Sequence, residues 1–262
     1  MILDVFSRKI RKAFSDSAVQ YEVLAGLQTE IGKELIEKIG EKDNVRSVLD
    51  VGMGTGRLAN RMNLIFPDAR IVGMDIAEGM TVTAAEKYPY LNFVQGDARA
   101  LPFKEGCFDV IFSNLVYQWV NRLPESFRGL SRILRPGGQV CLTMFGYHTL
   151  EEFFESVREA LPDHLSLRRL PEEAEIISAF EQAGFVIEHH QRETIKTHYS
   201  DIFDLVRWLK GIGANRLNQN IFIGRDRLRK AGEYYRRHFS DDWGLAATFE
   251  VITVRAKKPQ GI

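Results

Sequence analysis

Three glycines at alternate positions, with an aspartate just before them, are the residues of this chain best suited to chemistry. Residues 48–57 read Val-Leu-Asp-Val-Gly-Met-Gly-Thr-Gly-Arg, a buried strand pattern that runs into Gly52, Gly54 and Gly56 and then into a helix pattern. Glycine has no Cβ, so its backbone adopts positive φ and a ligand can approach it closely. We interpret this segment as a cradle for a nucleotide-type cofactor.

Two further carboxylates stand at the ends of the next two strand patterns. Asp75 follows Gly56 by 19 positions, where a carboxylate accepts hydrogen bonds from both hydroxyls of a ribose, a sugar shared by NAD and S-adenosylmethionine. Asp97 ends the following strand pattern, where an acceptor meets an adenine amino group. The dinucleotide pattern G-x-G-x-x-G needs a glycine at position 57, which is Arg57 here. The pattern therefore favours S-adenosylmethionine, with a helix N-cap as the alternative role of each aspartate.

Composition restricts the class of protein. The chain has 262 residues, of which 45% are hydrophobic and 27% charged, values typical of a soluble globular enzyme. Lys plus Arg equals Asp plus Glu at 35 each, so we expect no nucleic-acid and no membrane partner. The first residues lack the pattern of a signal peptide, and we expect a cytoplasmic protein. Cys107 and Cys141 are far apart and the histidines lack ligand spacing, so we expect no disulfide and no metal.

Strand and helix patterns alternate along the first half of the chain. We expect strands at 47–52, 70–75, 91–96, 108–114 and 139–145, and helices at 55–65, 77–88 and 124–134. This order predicts an α/β fold, a doubly wound and mostly parallel sheet whose carboxyl ends hold the ligand. Helical patterns follow at 149–161 and 171–183. Long strands at 185–197 and 247–257 would complete a seven-stranded sheet as an antiparallel edge.

The chain shows no internal repeat or linker that would divide it. We therefore expect a single domain over 1–262 with capping helices in 1–40. The segment 200–244 is too long for a hairpin turn and contains helical stretches, so we expect a helical lid inserted before the last strand.

The glycine loop, the aspartates and the strand at 108–114 occur in the order found in class I methyltransferases, and the flanks carry a more selective resemblance. Phe14, Ala18, Tyr21, Ala25 and Gln28 match a helix that precedes the domain in the malonyl-acyl-carrier-protein O-methyltransferase (BioC) family of biotin synthesis. Residues 113–119, 209–214 and 248–252 resemble further segments of that family. The chain departs from the family at Met53, Tyr117 and Phe249, none of which is an acid or a glycine of the loop.

The resemblance implies a class I methyltransferase that uses S-adenosylmethionine. Its substrate would be a malonyl thioester carried by acyl carrier protein or by coenzyme A. The cofactor site that it implies consists of Gln28, Asp50, Gly52, Gly54, Gly56, Asp75, Ile76, Asp97, Ala98, Asn114 and Leu115.

The substrate side of the predicted site needs position more than proton transfer. A malonate-type carboxylate is already ionised at neutral pH, so it attacks a sulfonium methyl group without a general base. We expect Tyr21, Gln118 and Trp119 to position the reactants, and Tyr21, Tyr117 and Trp119 to give an aromatic, poorly hydrated lining. Arg207 and Lys210 are the expected substrate-binding cations, with solvated helix charges as their alternative role.

A basic stretch could meet the acidic carrier. Between residues 221 and 239 six basic residues outnumber two acidic ones, a net charge of +6 − 2 = +4. Complementary charge would speed and orient the encounter with an acidic acyl carrier protein. The alternative is an ordinary solvated helix. Arg8, Lys9, Arg11 and Lys12 could extend the same face.

Two other functions fit the core motifs. One is methylation of another small carboxylate, a quinone precursor or a phenol. The other is a non-catalytic protein that binds S-adenosylmethionine and uses its helical lid for interaction.

Overall fold

One mixed sheet with helices on both faces forms the centre of the computed structural model, which describes residues 5–160, 169–214 and 224–260. The strands in these ranges run in the spatial order β3-β2-β1-β4-β5-β8-β6, with β7 paired to β8. The strands are β1 Ser47–Val51, β2 Arg70–Asp75, β3 Asn92–Gln95, β4 Phe108–Asn114, β5 Leu134–Phe145, β6 Val186–Tyr199, β7 Ser240–Asp241 and β8 Gly244–Lys257.

The first five strands are parallel, and the connection changes direction between β1 and β4. From β1 the chain winds outward through β2 and β3, and then returns to the other side of β1 to form β4 and β5. Such a switch point leaves a crevice outside the carboxyl ends of the strands, where α/β proteins bind ligands. This confirms the predicted doubly wound, mostly parallel sheet, and β8 runs antiparallel to both β5 and β6 as expected.

Nine helices of the described ranges cover the sheet. They are α1 Val5–Leu24, α2 Gly26–Glu37, α3 Arg57–Ile65, α4 Glu78–Lys87, α5 Leu123–Ile133, α6 Glu151–Ala160, α7 Glu173–Gln182, α8 Ile202–Gly211 and α9 Arg225–Phe239. The N-terminal pattern that reads as one helix is in fact divided. Ala25 leaves the helical region with φ −85° and ψ 36°, and α2 begins at Gly26, so Gln28 lies on a different helix from Tyr21.

Apolar side chains fill both faces of the sheet. Every residue of β1 is buried, because β1 is central and covered on both sides, as is usual for parallel strands. On one face, the ring of Phe127 in α5 lies between Tyr117 and Phe180, with centroid distances of 5.3 and 4.3 Å. A separate cluster on the opposite face joins α2 and α3 to the strands.

A third apolar cluster joins α6, α8 and α9 to the antiparallel end of the sheet. Leu205, Leu228 and Tyr235 are buried there against Phe249 of β8. Helices α8 and α9 belong to the segment 200–244, which we expect to form a helical lid. Residues 215–223 of that segment lie outside the described residues. The two-residue strand β7 was not predicted, since nothing in Ser-Asp distinguishes a strand from a turn. Within the described residues the sheet therefore has eight strands instead of the expected seven.

Among the described helices, none combines the length with the hydropathy that a membrane span requires.

Phe127 offers a test of the apolar core on its face of the sheet. The F127A variant should lose about 3–5 kcal/mol of the free energy of unfolding, because truncation leaves a cavity between two aromatic rings. Urea denaturation measures this loss. Leu64 is 74% exposed, so L64A should stay within about 0.5 kcal/mol of the parent. Equal losses in the two variants would contradict the packing described above.

Candidate active site

The glycine loop after β1 forms the floor of a cleft at the switch point. Gly52 and Gly54 have φ values of +73° and +57°, a region that side-chain-bearing residues rarely adopt. A Cβ on Gly52 would lie 2.1 Å from the nearest methyl of Val116. Gly56 precedes the first residue of α3, also with positive φ. All three predicted glycines therefore shape the loop through their positive φ, and at Gly52 there is also no space for a side chain.

The main cleft lies against the carboxyl ends of the first four strands and under α1. It encloses about 790 Å³, including its opening to solvent, which is within the range of small-molecule sites. Of the predicted site residues, those that line it are Tyr21, Gly52, Gly54, Asp75, Ile76, Asp97, Ala98, Asn114, Leu115 and Trp119. Residues that adjoin the loop on its other side, Gln28 and Asp50 among them, line a second, smaller cleft.

Asp75 ends β2 and holds the glycine loop in place. Its Oδ2 accepts a hydrogen bond from the Gly54 N–H at 3.0 Å, and its Oδ1 accepts one from the Ala77 N–H at 2.8 Å. Burial raises the pKa of this carboxyl to about 6, although the backbone N–H groups act in the opposite direction. Asp75 is therefore oriented by the backbone while it lines the main cleft.

Asp50 is buried near the carboxyl end of the inner strand β1. Its side-chain oxygen Oδ2 has no hydrogen-bond partner among the described residues. Burial and the negative charge of Asp75 raise its pKa to about 8. Gln28 Oε1 is a second buried acceptor without a described partner, and it lines the same small cleft. Two unpaired acceptors around one small cleft suit a donor with several N–H groups, since unpaired buried acceptors are costly.

Asp97 is held by an arginine that sequence reasoning did not identify as a site residue. The guanidinium of Arg99 donates from Nε at 3.0 and 3.1 Å and from Nη2 at 2.7 Å to the two carboxylate oxygens of Asp97. Both side chains are largely buried and line the main cleft. The Asp-x-Arg spacing was visible in the sequence, but a pair two residues apart is brought together only by the tight turn after β3.

Asn114 joins the end of β4 to the N-terminal helices. Its Nδ2 donates to the backbone oxygen of Gln28 at 2.8 Å, and its Oδ1 accepts from Thr143 at 2.8 Å. The next residue, Leu115, has a φ of +57°, a strained conformation for a side-chain-bearing residue. Both predicted residues thus lie at the cleft, in a turn fixed by β5 and α2.

The helix α1 covers the main cleft with aromatic side chains. Phe14 packs edge-on against Trp119 with centroids 5.8 Å apart, and Tyr21 lies over Gly54. Burial, with the nearby charge of Asp75, raises the pKa of the Tyr21 phenol. This hydroxyl therefore stays protonated at neutral pH and can donate a hydrogen bond.

Tyr117 and Gln118 do not line the cleft. The expectation that Tyr117 contributes to the aromatic lining is wrong, because its ring is fully buried in the core against Phe127. Gln118 is also buried, and its Oε1 has no described partner. The short 3₁₀ turn Tyr117–Trp119 explains this arrangement, because only its last residue faces the cleft. Phe14 takes the place expected for Tyr117.

The two expected substrate cations lie outside both clefts. Arg207 and Lys210 are exposed on α8, and Arg207 pairs with Asp204 at 3.1 Å. The apolar positions of α8, including Leu205 and Leu209, face inward and leave these charges in solvent. The structure therefore does not bring either cation to the cleft, and their predicted grip on a substrate carboxylate has no geometric support.

Arg57, which sequence analysis used only to exclude a dinucleotide loop, connects the loop to the helices above it. Its guanidinium donates to the backbone oxygen of Glu22 at 3.3 Å and to Thr29 Oγ1 at 3.4 Å, across the α1–α2 junction. Glu22 also pairs with Lys87 of α4. Burial alone would raise the pKa of Glu22, but hydrogen bonds from Lys87 and Thr55 and the charges of Lys87 and Arg57 together outweigh it, and the pKa is lowered.

Among the described residues, no group of three His, Cys, Asp or Glu side chains could hold a metal ion.

Comparison with solved structures defines the class of protein. A methyltransferase domain model matches residues 49–142. A methyltransferase-like structure from Bacillus halodurans superimposes with a TM-score of 0.63 at 21% identity, covering 87% of this chain and 99% of the other. The geranyl diphosphate C-methyltransferase of Streptomyces coelicolor, solved with S-adenosyl-L-homocysteine, gives 0.56 at 14% identity, covering 88% and 79%. The fold is that of the class I methyltransferases.

Sequence relatives define the family within that class. The malonyl-[acyl-carrier protein] O-methyltransferase of Methylococcus capsulatus is 31% identical over 96% of this chain and 94% of its own length. The bifunctional biotin biosynthesis protein BioHC of Teredinibacter turnerae is 34% identical over 96% of this chain. This chain spans about half of that longer protein, 47% of its length. The chain belongs to the malonyl-[acyl-carrier protein] O-methyltransferase family, which confirms the family resemblance read from the sequence.

Asp50 should make the stability of the unliganded protein depend on pH. The pKa of an Asp carboxyl in an unfolded chain is about 3.9, whereas burial raises the pKa of Asp50 in the folded protein to about 8. The stabilisation that protonation gives is complete below the unfolded pKa and is lost as the pH rises through the folded pKa. D50N, which stays neutral, should therefore have a higher Tm than the parent at the alkaline end of this range.

Thermal unfolding of both proteins without ligand, followed by circular dichroism across this pH range, measures the difference. The D50N advantage should shrink as the pH falls towards the unfolded pKa. D68N, at an exposed carboxylate, is the matched control and should show no such trend. A D50N advantage that did not vary with pH would contradict a raised pKa for Asp50.

Proposed function

We propose that the protein transfers a methyl group from S-adenosylmethionine to the free carboxylate of a malonyl thioester on an acyl carrier protein, a step of biotin synthesis. The observation that carries this proposal is the extent of the family similarity. It covers 96% of the chain, well beyond the methyltransferase core at residues 49–142. It therefore includes α1 above the cleft and the helices α8 and α9, the parts that would face an acceptor.

The residues of the two clefts fit the cofactor. When bound, S-adenosylmethionine supplies an electrophilic methyl group on a positively charged sulfur. Asp75 would accept hydrogen bonds from its ribose, and Asp97, oriented by Arg99, would accept one from its adenine. Asp50 and Gln28 would accept from the ammonium of its amino-acid end, because their buried oxygens lack described donors. The glycine loop, with Ile76, Ala98 and Leu115, would provide the apolar and backbone surroundings.

The acceptor side of the cleft would work by position and by exclusion of water. The substrate carboxylate is ionised at neutral pH, so no residue needs to remove a proton from it. Phe14 and Trp119 would keep water from the reacting oxygen, and the protonated hydroxyl of Tyr21 would orient it through a hydrogen bond. Gln118, which is buried and precedes Trp119 in the 3₁₀ turn, would support that turn and would not touch the substrate directly.

The absence of Arg207 and Lys210 from the cleft suits this chemistry. The carboxylate of a malonyl thioester is itself the nucleophile, and a bidentate arginine would stabilise it more in the ground state than in the transition state, where its charge is being lost. Arg99, the arginine that lines the main cleft, is already paired with Asp97. A cleft without a strong cation grip on the acceptor therefore favours transfer.

Methyl transfer with a labelled cofactor tests the proposal. Malonyl carrier protein, malonyl-CoA and free malonate would each be incubated with the protein, and the labelled acceptor would be identified by mass spectrometry. We expect transfer to the malonyl carrier protein, with less to malonyl-CoA and least to malonate. Transfer to a phenol or a quinone precursor, with none to either malonyl thioester, would reject the proposal in favour of another methyltransferase activity. Cofactor binding without any acceptor would favour a non-catalytic role.

Asp75 and Asp50 should contribute differently to cofactor binding. D75N should weaken S-adenosylmethionine about 10- to 100-fold in isothermal titration calorimetry, since a hydrogen bond to a charged group contributes about 1.5–3 kcal/mol. A cationic ammonium beside Asp50 would lower its raised pKa of about 8. The parent protein should therefore release a proton on binding at neutral pH.

Titrations in buffers of different ionisation enthalpy count that proton. D50N should bind more weakly and release none, whereas D75N should still release it. D68N again serves as the control and should behave like the parent. Unchanged affinity in both cleft variants would remove the assignment of the cofactor to this site.

A further inference from the structure

One side of α9 carries a row of arginines. Leu228, Ala231 and Tyr235 face the core, and Arg225, Arg229 and Arg236 are exposed. With 3.6 residues per turn, the three arginines fall within about 40° of one another around the helix. They form one row along the helix and not a ring around it.

Gly232 shows which way this row faces. The three arginines stand seven and three residues before and four residues after Gly232, so they share its side of α9. A Cβ on Gly232 would lie 2.7 Å from the nearest methyl of Ile202 in α8. On the other side of α9, Tyr234 donates to Glu155 of the acidic helix α6 at 3.1 Å. The row therefore lies on the α8 side, away from the acidic side chains of α6.

Helix α8 extends the positive charge towards the cleft. Its first residue, Ile202, contacts α9 through Gly232, and its last residue, Gly211, contacts Leu24 of α1. Arg207 and Lys210 lie on the solvent face between these two contacts. Trp208 fixes α8 to α1 by donating to the backbone oxygen of Leu24 at 2.9 Å.

The residues that directly follow α8 reach the wall of the cleft itself. A Cβ on Gly213 would lie 2.9 Å from the ring of Phe14, which lines the main cleft. The basic surface, defined as Arg225, Arg229 and Arg236 of α9 with Arg207 and Lys210 of α8, is therefore one helix away from that wall. The ten residues of α8, at about 1.5 Å of rise per residue, span about 15 Å from α9 to α1, a short distance for the flexible arm of a carrier.

Most of this charge has no acidic partner in the part of the chain that the structure describes. Arg229 pairs with Asp226 and Arg207 with Asp204, whereas Arg225, Arg236 and Lys210 have no acidic partner among the described residues. The whole chain has a net charge of zero. An unpaired excess beside the cleft therefore reflects local placement and not a generally basic protein.

We propose that the basic surface is the docking site for an acidic carrier protein, whose thioester arm then reaches the cleft past α8 and α1. This inference rests on the proposed function, which requires a thioester delivered by a protein. Rim charges of this kind mainly raise the association rate and set orientation. Arg207 and Lys210 would thus contact the carrier and not the small carboxylate.

Charge reversal tests the docking site against a matched control. The docking variant is R225E/R229E/R236E, which leaves the buried face of α9 unchanged. The control variant is K42E/R46E/R70E, with the same change in net charge at exposed residues near the amino ends of β1 and β2, the opposite edge of the sheet. Circular dichroism melts establish that both variants fold.

Two readouts separate docking from chemistry. In the docking variant the KM for malonyl carrier protein should rise about tenfold or more, and the loss should shrink as salt screens the charges. The rate with malonyl pantetheine, which has no carrier protein, should equal that of the parent. The control variant should keep the parent KM for both substrates. Equal KM changes in the two variants, or no change in the docking variant, would overturn the docking site.

Binding measured without turnover keeps this inference distinct from the proposed function. Fluorescence anisotropy of a labelled, acidic holo-carrier protein should show binding to the parent and to the control variant, and weakened binding to the docking variant. If the parent binds in this way but methylates no malonyl thioester, the proposed function fails and the docking site stands. If the parent binds duplex DNA or phosphatidylglycerol vesicles through these arginines but not the carrier, the inference is overturned.

Discussion

The structure depends on keeping two carboxylates, Asp50 and Asp75, close together and largely out of water at the switch point of the sheet. Such a pair is unfavourable, because burial raises the pKa of both carboxyls and the charge of Asp75 raises that of Asp50 further. The backbone offsets part of the cost by directing the N–H groups of Gly54 and Ala77 at Asp75. Asp50 receives no such help at Oδ2. The loop is thus pre-organised for a ligand that brings positive charge and donors.

This constraint explains why the N-terminal helices are tied to the loop. Arg57 follows the last glycine and reaches both helices, through Glu22 on α1 and Thr29 on α2. The break at Ala25 allows the two helices to diverge, so that α1 covers the main cleft and α2 places Gln28 at the smaller one. Hydrogen bonds from Arg57 therefore join helices α1 and α2 to the glycine loop.

Local pattern was enough to predict the part of the site that lies on strands. β1 and β2 end where their apolar runs end. Because a doubly wound order brings the ends of neighbouring strands to one edge of the sheet, Asp75 and Asp97 are expected to line the same cleft as the glycine loop. Other features depend on tertiary contacts that no local pattern encodes. Tyr117 points inward because its ring packs against Phe127 in the core. Arg99 can pair with Asp97 only because a tight turn brings the two side chains together.

The predicted binding of a substrate by Arg207 and Lys210 lacks geometric support for a related reason. Periodicity separated the buried and exposed sides of α8, but it could not say whether the exposed side of Arg207 and Lys210 faced a cleft or open solvent. That distinction depends on which helix lies next to α8, and α1 occupies the position between α8 and the main cleft. The charge excess at 225–237 was visible in the sequence, whereas its orientation required the contact between Gly232 and Ile202.

The arrangement divides two tasks that would conflict in a single pocket. Methyl transfer to a carboxylate is favoured where water and strong cations are kept away from the reacting oxygen. Capture of an acidic protein is favoured by exposed, unpaired cations. The cleft under Phe14 and Trp119 has the first character, and the exposed faces of α8 and α9 have the second. Because α1 lies between α8 and the cleft, positive charge can attract a carrier without holding the nucleophile that the carrier delivers.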